Sequence, residues 1–464
     1  MTLGWIVSSA VLAGLIFAAP SLATAASAEV ERHIRETQAR MQQLDDKIRA
    51  ASDQLDSANQ RVDEQSALIE RSGLTETRGA SSGLPGFLGQ IAVGGSVQAS
   101  YFWNVNGPTA GRNGGMDGTN AGLNGAFYPL HSDANSFAFQ AAWIDLEREI
   151  DEENRAGFRL EVAYGLTAEL LGGIGNREIR DDSGFYLFDG YVQYLAPIGD
   201  GLTLKAGRFG TTIGSEYAND ALNWNITQGS VYNLLEPLDH IGVTAEYTFG
   251  DSGFDAKLGA VNGYFANDPD NNESKSLLGH VGWENELLSI ALNGIWGNEQ
   301  TASSENSSGV ANLLFTIDPT ERLSFWVNAD YDWIDLPGNP HAWGVAAAGR
   351  FAFTDRTSLA LRAEYATDDD NFFGFVGFDP DGDIPGPDGS TLALTDIRVW
   401  GITATLDHLL TDNLKIRGEV RYDDISKKDT DDGEFFENSS GFSDDQVVIG
   451  AEVIYNFNAW GSDE

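Results

Sequence analysis

The second part of the sequence alternates apolar with polar residues in one segment after another. Between residues 413 and 423, apolar side chains or glycine hold the even positions, whereas Lys415, Arg417, Glu419 and Arg421 hold the odd ones. Alternation with two strongly different faces predicts a β-strand that separates two different solvents. Because charged residues at every second position cannot lie unpaired in a dry core, we predict a membrane β-barrel around a water-filled interior.

Sixteen such segments follow one another, and the connections between them alternate in length. The segments lie near residues 90–104, 136–149, 156–167, 184–195, 201–209, 239–249, 253–264, 276–284, 286–296, 308–317, 322–333, 342–353, 358–367, 393–406, 413–423 and 446–457. Every second connection is short, beginning with residues 151–155 and ending with residues 407–412, and the remaining connections are long. This pattern is typical of a bacterial barrel with short periplasmic turns and long outer loops. The predicted fold is all-β, a 16-stranded antiparallel transmembrane barrel over residues 90–457.

Strand parity assigns a set of charged side chains to the inner wall of this barrel. Apolar residues at alternate positions are expected to face lipid, so that the polar residues between them face the lumen. The predicted lumen-wall residues are Arg159, Glu161, Lys205, Asp330, Arg350, Arg362, Arg398, Lys415, Arg417 and Arg421.

The connection from residue 210 to residue 236 is unusually long for a loop between two strands. Loops of this length are uncommon unless they have a function, and we predict that this one folds into the lumen. Its candidate site residues are Glu216, Tyr217, Asp220 and Trp224. An acidic loop opposed by a basic wall would set a transverse field across the channel. In the alternative, the arginines pair with Glu364, Asp396 and Glu419 and only brace the wall.

The first 89 residues divide into three predicted segments. Residues 1–28 combine an apolar run with small-x-small cleavage sites, which is typical of a secretory signal, although no Lys or Arg precedes the run. A retained membrane anchor is the alternative. Residues 72–89 are rich in Gly, Ser and Thr and are interpreted as a linker. At the other end of the chain, residues 458–464 form a short tail after the last segment.

Residues 29–71 carry a heptad pattern that predicts a periplasmic coiled coil about 65 Å long. Its core positions hold Ile34, Met41, Ile48, Leu55, Val62 and Ile69. A single helix with a narrow apolar stripe cannot bury itself, so we predict an oligomer. The alternative is an amphipathic helix that packs on its own barrel.

Charge and motifs exclude several classes of function. The net charge of −42 argues against a nucleic-acid partner, which requires a basic surface. The sequence contains neither a phosphate-binding loop nor a nucleophile elbow, so we predict that the protein is not an enzyme. No cofactor is expected, with one weak metal candidate at Asp379, Asp381 and Asp383, where loop-bound Ca²⁺ or Mg²⁺ competes with a plain solvated acidic loop.

Several stretches resemble one known family. The residues are Ser136–Gln140, Asp145–Arg148, Gly157–Glu161 and Tyr191–Phe209, and they are similar to the putative β-barrel porin-2 family of OmpL-like outer-membrane porins. The coiled coil is similar to that of DcaP-type trimeric porins, which implies a homotrimer. The resemblance also implies a passive diffusion channel. In general porins of sixteen strands the third outer loop, here 210–236, narrows the pore.

The expected function is an outer-membrane porin for passive diffusion of small hydrophilic solutes, with mild cation selectivity. Expected partners are outer-membrane lipids and lipopolysaccharide, whose phosphates divalent cations would bridge to the acidic loops. The alternative is a structural anchor, in which the coiled coil links or spaces the outer membrane and the cell wall and the barrel conducts little.

Overall fold

A computed structural model describes most of the predicted barrel. The described residues are 90–108, 130–131, 133–176, 184–264, 270, 272–299, 307–336, 338–369, 372, 384–385, 391–392, 396–427, 436–439 and 441–460. The predicted signal segment, the coiled coil of residues 29–71 and the linker lie outside them. The metal candidates Asp379, Asp381 and Asp383 also lie outside them.

Sixteen antiparallel strands form one closed barrel, which confirms the predicted fold of this region. The strands are β1 Ala92–Asn104, β2 Ser136–Arg148, β3 Ala156–Tyr164, β4 Phe185–Ala196, β5 Leu202–Gly210, β6 Asp239–Thr248, β7 Phe254–Val261, β8 Ser276–Glu284, β9 Leu288–Asn298, β10 Ser307–Thr320, β11 Leu323–Ile334, β12 His341–Thr354, β13 Thr357–Asp369, β14 Ile397–Leu409, β15 Leu414–Lys427 and β16 Asp445–Trp460.

The barrel closes where β1 pairs with β16, with Val97 opposite Tyr455. Without closure these two strands would be edges with unpaired backbone N–H and C=O groups. Closure pairs those groups, and such pairing is required in a hydrocarbon environment that offers no other hydrogen-bond partners. Two further pairs of short strands, Ile384–Pro385 with Thr391–Leu392 and Phe436–Asn438 with Gly441–Ser443, form hairpins inside two of the long connections. We call the end of the barrel with the short connections the short-turn end.

Three strand boundaries differ from the predicted ones for local reasons. β3 ends at Tyr164 because Gly165, at φ +123°, turns the chain into helix α1, Leu166–Asn176. β14 begins at Ile397, after the left-handed backbone of Asp396 at φ +59°. β16 continues to Trp460, so that it includes part of the predicted tail.

Alternating burial follows the predicted two faces of the strands. On β16, Val453 and Tyr455 are exposed on the outer face, whereas Glu452 and Ile454 are buried toward the interior. Large apolar side chains cover the outer face of the other strands in the same way, as a lipid-facing surface requires. Within the described residues, no helix is both long and apolar enough to cross a membrane.

The connection from β5 to β6 contains a 3₁₀ turn, Asp220–Leu222, and helix α2, Ser230–Leu235. The apolar residues of α2 are buried with residues of the barrel wall in one cluster that includes Val231, Leu235, Ala342 and Val399. Gly344 makes the contact close, because a Cβ there would lie 2.7 Å from Cδ1 of Leu235. The interior at this level is therefore packed and partly apolar.

This packing overturns the predicted position of Arg398. The inner face of β14 carries Ile397 and Val399, both fully buried in the cluster with α2. Arg398 therefore lies on the outer face, the side of the exposed Trp400 and Ile402. The prediction was wrong because it assumed that polar residues always face inward, whereas here the interior contains a helix.

Candidate functional site

The connection between β5 and β6, residues 211–238, lies against a wall that is far from its own strands. We call it the pore loop. Its hydrogen-bonding partners come mainly from β13, β14 and β15, whereas the loop leaves the barrel at β5. In a closed ring of sixteen strands, β5 and β13 are eight positions apart. The pore loop therefore crosses the barrel interior from one side to the other.

Arg417 on β15 holds the first half of the pore loop by its backbone. Its guanidinium donates hydrogen bonds to the carbonyl oxygens of Asp220 at 2.9 Å and Asn223 at 3.0 Å. The same guanidinium forms an ion pair with Glu452 on β16, and both side chains are fully buried. The planar fork of arginine suits several acceptors at once, so one side chain fixes both the loop and the neighbouring strand.

Two more arginines hold the second half of the loop. Arg362 on β13 donates to the carbonyl oxygen of Thr227 at 2.7 Å, and Arg421 on β15 donates to that of Gln228 at 2.6 Å. Each is buried beside a carboxylate of the wall, with Arg421 2.8 Å from Asp423. The acceptors of these hydrogen bonds are backbone carbonyl oxygens, so the bonds do not depend on which side chains the loop carries.

Carboxylates accept hydrogen bonds from the backbone amides of the pore loop, just as the arginines donate to its carbonyl oxygens. Glu419 on β15 accepts hydrogen bonds from the backbone amides of Ile226 at 2.6 Å and Thr227 at 3.1 Å. In the loop, Glu216 accepts from the amide of Gly229 at 2.7 Å and from Arg362 at 2.5 Å. Burial raises the pKa of Glu216, although the Arg362 guanidinium opposes that shift.

Asp220 pairs with a histidine from another long connection. Nε2 of His131 lies 3.0 Å from Oδ2 of Asp220, and both side chains are buried. Burial by itself lowers the pKa of His131, but the carboxylates of Asp220, Glu452 and Glu419 together leave this pKa above its ordinary value, with Asp220 contributing most. Asp220 also accepts a hydrogen bond from Gln228 at 3.0 Å, so it links the two halves of the pore loop to a second loop.

The two aromatic residues predicted for the pore loop have different environments. Trp224 packs on Trp326 of β11, with ring centroids 6.3 Å apart. Tyr217 remains 55% exposed, while its carbonyl oxygen accepts a hydrogen bond from Asn223. Trp224 therefore belongs to the packed contact, and Tyr217 presents its ring to open space.

Asp330, which strand parity assigned to the inner wall, lies in a cluster of carboxylates at the other end of the pore loop, and parity gave no sign that Glu236 joins it. Asn328 donates hydrogen bonds to both Glu236 and Asp330 at 2.7 Å each, and Asn312 donates to Asp330 at 2.8 Å. Asp332 is fully buried nearby, and neither of its carboxylate oxygens has a hydrogen-bond partner among the residues that the structure describes. Burial, followed by the charge of Asp330, raises the pKa of Glu236 well above its usual range. The signal in the sequence was the run of Asn and Asp at positions 328, 330 and 332.

The remaining predicted wall residues lie closer to the short-turn end. Arg159 on β3 forms ion pairs with four carboxylates, those of Asp145, Glu147, Glu161 and Asp189, at 3.1 to 3.3 Å. Lys205 on β5 lies 3.6 Å from Glu246 and 4.4 Å from the ring centre of Tyr191. Arg350 donates to Ser358 at 3.1 Å. Acidic groups therefore outnumber basic ones around Arg159.

Within the described residues, no group of three or more His, Asp or Glu side chains is placed to hold a metal ion. Cation binding by the long acidic connections stays a prediction.

The sequence profile of the putative beta-barrel porin-2, OmpL-like family matches residues 90–457, the whole barrel except its last three residues. The chain belongs to this family. It is accordingly an outer-membrane β-barrel of the porin type, and the family points to a channel rather than an enzyme. A comparison with curated protein sequences gives no match.

Three solved structures with a similar fold are distant in sequence. A loop L8 deletion mutant of OmpT from Vibrio cholerae is 13% identical, with 80% of this chain and 100% of that chain covered and a TM-score of 0.48. The anion-selective porin from Comamonas acidovorans is 11% identical, with 79% and 99% covered and a TM-score of 0.49. The channel DcaP of Acinetobacter baumannii is 10% identical, with 79% and 97% covered and a TM-score of 0.49.

Proposed function

We propose that this porin allows passive diffusion of small hydrophilic solutes through a channel that the pore loop narrows. The observation that carries the proposal is the course of that loop, which leaves β5 and is held by Arg362, Arg417 and Arg421 on the opposite wall. A loop that crosses the interior occupies part of the cross-section. Solutes then pass through the part that remains.

The chemistry of the inner wall favours hydrophilic solutes and, among ions, cations. Side chains such as Asn293, Asn312 and Asn328 line neighbouring strands as a ladder of amides. Near the short-turn end, four carboxylates surround the guanidinium of Arg159, whereas Arg362, Arg417 and Arg421 each have a carboxylate partner. Because lumen charges tune selectivity, we expect mild cation preference.

The assembly and its surroundings form the second part of the proposal. The heptads of residues 29–71 support a homotrimer held by a periplasmic coiled coil, and the long acidic connections would face lipopolysaccharide through bridging divalent cations. A loop packed across the interior is also compatible with the anchor function, in which the barrel conducts little, so conductance distinguishes the two functions.

Single-channel current in planar bilayers tests the proposal. The full-length protein should give ohmic steps in groups of three. A variant in which Glu216–Ser230 is replaced by a short Gly-Ser linker should give steps at least twofold larger, because the loop no longer occupies the lumen. Absence of steps from correctly folded protein would favour the anchor, and equal steps from both proteins would show that the pore loop does not narrow the channel.

A further inference from the structure

The outer face of the barrel carries an apolar groove across strands β3 to β8, with a volume of about 880 Å³. Four alanines, Ala156, Ala206, Ala245 and Ala260, form part of its lining. Beside them Val192 and Leu258 stand out from the wall, 62% and 59% exposed. The groove exists because small side chains lie between large ones on the same lipid-facing surface. Its volume falls within the range of small-molecule sites.

The groove starts at the short-turn end and rises toward the middle of the membrane. Its residues follow one row of strand neighbours, in which Tyr194 lies opposite Leu204, Leu204 opposite Ala245, and Ala245 opposite Leu258. Strands lie about 4.8 Å apart and tilt by about 40°, so six strands raise this row by about 15 Å. That height is about half of a hydrocarbon core of about 30 Å, which is the depth of one leaflet.

A basic residue lies at the lower end of the groove. Arg148 is the last residue of β2, it faces outward like Ile144, and it lines the groove beside Ala156 and Phe158. Its guanidinium donates to the carbonyl oxygen of Ala156 at 3.0 Å and to Gln90 at 2.9 Å. The side chain is therefore held at the level where lipid headgroups meet water.

We propose that the groove is a binding site for one glycerophospholipid of the leaflet next to the short turns. One acyl chain lies along the alanines, and the phosphate is bound by Arg148. The match rests on two features of one site, an apolar groove of one leaflet's depth and a guanidinium at its polar end, since arginine is suited to phosphate oxygens. Asp151 lies in the turn that follows Arg148, and the side chain of Asn154 forms hydrogen bonds with both residues. The carboxylate of Asp151 therefore favours a headgroup that carries an ammonium beside its phosphate.

Native mass spectrometry of the full-length protein tests this site. The protein is refolded from denaturant into lipid-free detergent and then mixed with dimyristoyl phosphatidylethanolamine or with dimyristoylglycerol, which has the same chains and no phosphate. We expect one phospholipid per barrel and at least tenfold weaker retention of the diacylglycerol. Arg148→Gln should reduce phospholipid retention to the level of the diacylglycerol.

Two alanine variants distinguish the groove from the rest of the outer face. Ala206→Trp fills the groove and should abolish retention of both lipids, whereas Ala363→Trp, on the exposed outer face of β13, should leave retention unchanged. Unchanged retention in both Arg148→Gln and Ala206→Trp would overturn the site. If Ala206→Trp separates the subunits and leaves lipid retention intact, a second copy of the chain occupies the groove and the proposal is wrong. Arg148→Gln leaves the wall packing untouched, so its result holds even if the tryptophan variant fails to fold.

Discussion

Nη1 of Arg362 on the barrel wall lies 2.5 Å from Oε1 of Glu216 in the pore loop, and the two side chains are 0% and 5% exposed. The loop and the wall are thus joined by a buried ion pair. A transverse field between separated acidic and basic faces was the prediction for these residues. The pair instead neutralises both charges at the point of contact, so any field across the channel must come from other groups.

Loss of this pair should loosen the pore loop. Glu216→Gln leaves Arg362 buried with Glu364 at 3.6 Å as its remaining carboxylate, so we expect a loss smaller than the cost of about 3–5 kcal/mol for an uncompensated buried charge. We expect a lower urea midpoint of unfolding in lipid vesicles and noisier single-channel current. Asp355→Asn, in an exposed turn between β12 and β13, is the matched control. Identical current noise in Glu216→Gln and wild type would show that the pair does not fix the loop.

Ion selectivity should respond to charges that face the lumen without holding the loop. Lys205 is such a residue, partly exposed on the inner face of β5 near Glu246. Lys205→Glu should increase cation preference, because lumen charges tune selectivity. The reversal potential in a salt gradient measures this. Arg398→Glu makes the same charge change on the outer face and should leave the reversal potential unchanged. Equal shifts in the two variants would argue against a local effect of the lumen wall.

Much of the barrel could be predicted from sequence because each strand touches two solvents along its whole length. Parity alone assigned three basic residues of β15 to the inner face, namely Lys415, Arg417 and Arg421. In the structure all three lie at inward positions of that strand. The same rule failed at Arg398, where the inner face packs on α2 and the apolar residues turn inward. Parity describes a strand between lipid and water, and it does not detect a folded loop inside the lumen.

The site was harder to predict than the fold because its contacts join residues far apart in the chain. Glu216 and Asp220 were recognised as loop carboxylates, but nothing local predicts that their partners are Arg362 and His131. The backbone carbonyls that Arg417 binds carry no sequence signal at all, since every residue has one. Only the course of the loop across the barrel brings these groups together.

The orientation of the barrel can be checked with inserted tags. An epitope placed between Glu321 and Arg322, the turn after β10, should be hidden on intact cells, whereas one placed at Asp431 should be labelled. The reason is that short turns face the periplasm in bacterial barrels. Antibody labelling of whole and permeabilised cells measures both sites. Labelling of the short turn on intact cells would reverse the orientation.

Assembly should depend on the heptad core ahead of the barrel. Polar substitution of Ile48 and Leu55 together removes two apolar core positions, so we expect trimers to dissociate while the barrel stays folded. Native gels report the assembly, and heat-modifiable migration reports the barrel. Asp46→Asn, at a position outside the heptad core, is the control. Intact trimers in the double variant would show that the coiled coil does not hold the subunits together.

The pH dependence of stability should identify Glu236 as a buried acid that is neutral in the folded state. Its pKa is raised well above the usual value by burial and by Asp330, so the unfolded chain gives up its proton at a lower pH than the folded barrel does. Stability should therefore fall as pH rises above about 4.3, the ordinary glutamate pKa, by up to about 1.4 kcal/mol per pH unit until the folded pKa is reached.

Glu236→Gln removes this titration and keeps an oxygen that can accept the hydrogen bond of Asn328. We expect the variant to match wild type at pH 4 and to be more stable at pH 8, with the urea midpoint of unfolding in lipid vesicles as the measurement. Glu153→Gln, in the exposed turn between β2 and β3, controls for the change in net charge. A variant no more stable than wild type at pH 8 would mean that Glu236 is ionised in the folded barrel, and that the carboxylate cluster is solvated rather than buried.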